Sequence, residues 1–148
     1  MMSIFSVDES NALRSLYIEA FVDKTSDYYV RNIQERILFS DGMCYVGYLW
    51  DCFKNATAIS ENRSFCFLQE KSNLYIFWDI HSKDRISIPD YWKYSKESVL
   101  KMEKWDASLL SSLPEDIYIF DDTLLWSIAL THEEVKRGKR LCFFVNPL

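Results

Sequence analysis

The sequence predicts an α+β fold, with N-terminal helices packed on a mostly antiparallel sheet of about five strands and one inserted helix. Two observations carry this expectation. The apolar spacing changes along the chain, from three-and-four in the first third to short runs of aromatic residues and Ile beyond residue 64. Helical stretches gather first and strand-like runs follow, separated by short polar turns, so the order is not the alternating one of a parallel sheet.

Ser6 and Glu9 form a Ser-x-x-Glu capping pattern, and Leu13, Leu16, Tyr17, Ala20 and Phe21 share one face of the helix that follows. A second helix is expected from near Ser26 to Phe39, with Tyr29, Ile33 and Ile37 as its stripe and Asp41-Gly42 as its stop. Tyr45 to Phe53 reads as a short buried helix. Ser64 to Glu70 and Leu74 to Ile80 read as the strands of a hairpin turning at Lys71-Ser72-Asn73. The inserted helix is placed from near Ser95 to Trp105, carrying Val99, Leu100 and Met102; Asp106 caps one further turn, which Pro114 ends. Ile117 to Phe120 and Leu124 to Leu130 read as strands around an Asp121-Asp122-Thr123 turn, and Leu141 to Val145 as a last strand after a hairpin turn at Gly138. No repeat, low-complexity stretch or linker interrupts the chain, so residues 1–148 are expected to form a single domain.

The 148 residues are 49% apolar and 16% aromatic, with ten Phe, nine Tyr and five Trp, more rings than such a core hides completely. Some Tyr and Trp are therefore expected part-exposed, where an amphipathic ring suits partner binding. The net charge of −5 disfavours nucleic acid and anionic membrane surfaces and favours a basic partner. The first residues carry no basic, apolar export signal, and no run approaches a membrane span, so a cytoplasmic location is expected. Cys44, Cys52, Cys66 and Cys142 are then expected to be reduced and mostly buried.

Motifs for chemistry are weak. Gly42 to Gly47 has P-loop spacing, but Tyr48 and Leu49 stand where Lys and Ser or Thr are needed. His132-Glu133 opens like a zinc-protease helix, yet Lys136 takes the place of its second histidine. There is no Cys-x-x-Cys and no Gly-x-Ser-x-Gly. No metal, no cofactor and no catalytic residue are expected. The charge pattern says more: Asp106, Glu115, Asp116, Asp121, Asp122, Glu133 and Glu134 occur from Trp105 to Val135 with no Lys or Arg among them. Four bases follow between Lys136 and Arg140. The doublets Asp121-Asp122 and Glu133-Glu134 should lie at opposite ends of one strand, either as solvated turns or as an acidic surface for a basic partner.

Residues 116–134, a hydrophobic strand, an acidic turn, a Trp-bearing strand and Thr-His-Glu, resemble a recurring ending of small uncharacterised bacterial proteins of the toxin–immunity type, including contact-dependent growth inhibition immunity proteins. The matching residues are Asp121, Trp126, Thr131, His132 and Glu133, and the resemblance covers about 20 of 148 residues. It implies a non-enzymatic protein that neutralises a basic toxin domain, such as a nuclease, with Asp121, Asp122, Trp126, His132, Glu133 and Glu134 near the interface. Two other readings stay open. One is a small enzyme using His81 or His132 with a carboxylate or cysteine, which a deep histidine-lined pocket would favour. The other is a subunit that self-associates through exposed aromatics.

Overall fold

The computed structural model describes residues 2–39, 42–81 and 96–147. A short strand, β1 (Met2–Ile4), leads into helix α1 (Val7–Phe21). Ser6 caps that helix as expected: its hydroxyl accepts from the Glu9 N–H at 3.1 Å, and the Glu9 carboxylate accepts from the Ser6 N–H. A single turn, α2 (Asp27–Tyr29), passes directly into a π-helical turn, Val30–Gln34. The chain then forms a two-stranded ribbon, β2 (Ile37–Phe39) with β3 (Gly42–Cys44), and a 3₁₀ turn, Leu49–Asp51. Next come β4 (Ala56–Ile59), α3 (Glu61–Gln69), β5 (Ser72–Trp78) and β6 (Leu100–Lys104). A second 3₁₀ helix, Ala107–Ser112, precedes β7 (Ile117–Phe120), β8 (Ser127–Lys136) and β9 (Lys139–Val145).

Seven strands form one sheet in the order β1-β6-β5-β7-β8-β9-β4, with every neighbouring pair antiparallel. Strand alternation sends one set of side chains to each face. Phe77, Tyr118, Phe120 and Ala129 meet Tyr17 and Phe21 of α1 on one side. Ile76, Ile119, Ile128 and Leu130 meet Leu68 of α3 and Leu113 on the other. Antiparallel sheets commonly leave one face to water, but this one is packed on both, so β7 is buried at all four positions. The aromatic content serves this arrangement: the Tyr17 ring alone meets Phe77 at 4.7 Å and Phe120 at 5.0 Å, both edge-on.

The α+β class and the antiparallel sheet agree with the sequence reading, but the sheet has seven strands where about five were expected, and helices are few. Residues 64–70 are not a strand. Ser60 caps α3 by accepting from the Arg63 N–H at 3.1 Å, and the buried Ser64 and Leu68 stand four residues apart, a helical spacing inside an aromatic run. In place of the inserted helix, residues 96–99 form a turn and irregular chain and residues 100–104 form strand β6; Ser95, at its expected start, lies outside the described residues. Leu100 and Met102 are buried while Glu103 and Lys104 are exposed, and pairing with both β1 and β5 selects the two-residue period. The second helix stops at Gln34, five residues before its expected end, because the chain turns into β2. The stretch from Tyr45 to Phe53 holds one 3₁₀ turn rather than a helix.

Candidate partner-binding site

The 3₁₀ segment around Leu49 is held by side chains where a sheet ladder would otherwise hold it. Asp79, at the end of β5, accepts from the Tyr45 hydroxyl and the Leu49 N–H, both at 3.0 Å, and from the Tyr118 hydroxyl at 2.6 Å. Tyr118 in turn accepts from the Trp50 N–H at 3.1 Å. The His81 ring Nε2 bonds the Gly47 carbonyl oxygen. Gly47 itself is required by close packing, since a Cβ there would lie 2.6 Å from the Asn32 Cβ. Burial raises the Asp79 carboxyl to about 6, against the opposing pull of His81 and its three donors. Beside it, Arg14 donates from both terminal nitrogens to the Trp78 carbonyl at 2.9 and 2.8 Å, fixing α1 to the end of β5.

That segment presents Tyr48 and Trp50 to the point where β8 leaves the covered part of the sheet. Their rings stack at 5.2 Å, and His132 lies 5.3 Å from Tyr48 and 6.1 Å from Trp50. Asp116 ties the group together. It accepts from Trp50 Nε1 at 3.2 Å and the His132 N–H at 2.9 Å, and both its oxygens lie 3.0 Å from His132 Nδ1. Burial pulls the His132 pKa down, but the Asp116 hydrogen bond and the charges of Asp116, Glu133 and Glu115 outweigh it and leave it raised. His132, Glu115, Glu134, Glu61 and Arg140 line an open cleft of about 460 Å³. Arg140 crosses it, donating to the Glu115 carbonyl at 3.2 Å with Glu61 4.0 Å away.

The residues singled out in the sequence fall into two groups. At one end of β8, Asp121 turns inward: it accepts from the Thr123 N–H at 3.0 Å, from the Thr123 hydroxyl, and from Trp126 Nε1 at 3.0 Å. Trp126 is 5% exposed and packs edge-on against Phe67. Asp122 is exposed beside them. At the other end, His132, Glu133 and Glu134 are all exposed. Strand β8 is buried from Ser127 to Thr131 and exposed from His132 to Lys136, so the outer half of the β8–β9 hairpin lies in solvent beside the start of α3. The two doublets are therefore separate surfaces, some 20 Å apart along the strand at ~3.3 Å per residue.

Sequence reading did not single out Asp116, Tyr48 or Trp50 as site residues. In the sequence Asp116 is one of seven acids between Trp105 and Val135, and its pairing with His132 follows from the β7–β8 register, in which Ile117 faces Leu130. Tyr48 and Trp50 lie in an aperiodic segment that no local pattern orients. All four cysteines are free thiols; Cys66 is exposed, and burial raises Cys52 to about 12. Among the described residues no group of three or more His, Cys, Asp or Glu could hold a metal ion, and no helix is long and apolar enough to cross a membrane. No family model matches the chain, and no curated protein or solved structure matches it either.

Proposed function

We propose that this chain is an immunity-type binding protein that neutralises a basic toxin domain in the cytoplasm by covering it. The observation that supports this reading most is the projecting end of β8, where His132, Glu133 and Glu134 are exposed beside a cleft that also carries Glu115 and Glu61. Carboxylates there steer a cationic surface into contact and offer charge-assisted hydrogen bonds to its Lys and Arg side chains. The stacked Tyr48 and Trp50 rings, held by Asp79 and Asp116, give the acidic face a stiff floor, so little ordering entropy is lost on binding. In this reading Asp121 and Trp126 act from within, shaping the turn, and Asp122 adds peripheral charge.

The test is capture of the full tagged chain co-expressed with the products of neighbouring genes. A stoichiometric partner with a basic domain, released by the double reversal Glu133→Lys and Glu134→Lys, is the expected result. Recovery of the chain alone, with those products expressed, would overturn the reading.

One observation favours a second reading. A histidine whose Nδ1 rests on a buried-side carboxylate, at the mouth of a cleft, is the arrangement general-base catalysis uses. Among the described residues, however, the His132 ring hydrogen-bonds only to Asp116, so no side-chain nucleophile is in place, and water would have to attack. Hydrolytic activity abolished by His132→Gln, with binding of the captured partner unchanged, would move the function to this reading.

A further inference from the structure

The opposite side of the same hairpin carries the reverse charge. Strand β4 pairs with β9 only from Cys142 to Val145 and ends at Ile59, where the chain turns away into α3. Among the described residues, Lys139, Arg140 and Leu141 of β9 thus have β8 on one side and no strand on the other. Beside this uncovered edge is a groove of about 560 Å³. Its walls combine apolar Ile59, Leu141 and Val135, the last 64% exposed, with the cations Arg63, Lys136 and Lys139. The side chains of these three cations make no hydrogen bond or ion pair among the described residues. The one acid in the wall, Glu61, already lies 4.0 Å from Arg140.

We infer that this groove docks an extended acidic segment of a partner protein, which adds to the free edge of β9 in line with β4. An incoming strand would find an edge of about 10 Å at ~3.3 Å per residue, along which the Leu141 carbonyl already accepts from the Thr131 hydroxyl at 2.8 Å. Strand alternation then sets its chemistry: carboxylates toward Arg63, Lys136 and Lys139, and an apolar side chain between them against Ile59 and Leu141. Charge selects this occupant over a second copy of the chain. Pairing residues 139–141 of β9 with their own symmetry mate would set Arg140 against Arg140 and bring two copies of the cationic Lys136–Arg140 turn together. The inference does not rest on the acidic-face reading, because the acidic cleft and this groove use different side chains apart from Glu61 and Arg140, and Gly138 between them.

The probe is a capped peptide of alternating valine and glutamate, titrated into the full ¹⁵N-labelled chain. The amide signals of Lys139, Arg140 and Leu141 are expected to shift, and those of the three whose N–H faces the free edge to gain protection from exchange. Affinity should fall roughly tenfold or more in the Lys136→Glu, Lys139→Glu variant. If that variant does not fold, raising salt from about 0.05 M to about 0.5 M should weaken binding to the unaltered chain in the same direction. Three results would overturn the inference: unshifted amides at 139–141, equal binding of a backbone N-methylated peptide, or equal binding of a thymidine oligonucleotide, which would assign the groove to phosphate. Protection at 139–141 that grows with protein concentration in the absence of peptide would assign the edge to self-pairing instead.

Discussion

The two ends of β8 carry the same kinds of residue and use them in opposite ways. At its start, the Asp121 carboxylate is taken up by Thr123 and the Trp126 indole, and the tryptophan is core. At its far end, Glu133 and Glu134 stand in water on a strand that has left the sheet's cover, while Trp50 and His132 gather on Asp116. The difference lies in how fully internal donors occupy the carboxylate: Asp121 takes three donors, whereas Glu134 accepts one long bond from the Gly138 N–H at 3.4 Å. An acidic doublet with a Thr two residues on and a Trp five on builds a turn; one on an uncovered strand remains available to a partner.

Breaking the inward end should cost the most stability. Trp126→Ala removes an indole packed against Phe67, and urea unfolding should show a loss of ~3–5 kcal/mol. Asp79 is the other inward carboxylate, and its pKa lies above the unfolded value of 3.8 at about 6. The folded chain therefore holds this proton more tightly than the unfolded chain does. Its contribution is fully present below pH ~4 and is lost as pH rises through ~6, a fall on the order of 3 kcal/mol. Asp79→Asn should flatten unfolding free energy across that window; an unchanged pH slope would mean that burial does not govern this group. Asp121→Ala frees the Thr123 N–H and Trp126 Nε1 and should cost ~1–2 kcal/mol.

The outward end should behave in the opposite way. Glu133→Lys with Glu134→Lys should leave stability within ~0.5 kcal/mol of the original, because both side chains are solvated. The smallest effect concerns His132, whose folded pKa is raised. Its contribution is fully present below the unfolded value near 6.5 and disappears as pH climbs through the folded one. His132→Gln should remove that shallow decline, and an NMR titration of the ring that shows a lowered midpoint would contradict the Asp116 pairing.

Much of the sheet was legible because its signals are local. The Asp121–Thr123 turn, the Gly138 hairpin (φ 75°) and the capping pair Ser6–Glu9 each stand within a few residues of one another. The failures arise where contacts distant in sequence, and not the local pattern, choose the structure. The short run in α3 places Ser64 and Leu68 inward among aromatic residues that suit a strand equally well, and the period of the five-residue β6 is selected by its pairing with β1 and β5. The site was half legible. His132, Glu133 and Glu134 stood out by charge, whereas the Asp116–His132–Trp50 cluster depends on register and on an aperiodic loop tied to Asp79.

The most direct measurement is calorimetric binding of the captured partner to two double variants, Glu133→Lys with Glu134→Lys, and Glu70→Lys with Glu103→Lys as an acid-removing control elsewhere on the surface. The account predicts that the first loses roughly tenfold or more in affinity while the second stays within about threefold, both remaining folded. Equal losses would reduce the effect to net charge, and an unaffected first variant would contradict the claim that the outward end of β8 is the binding face.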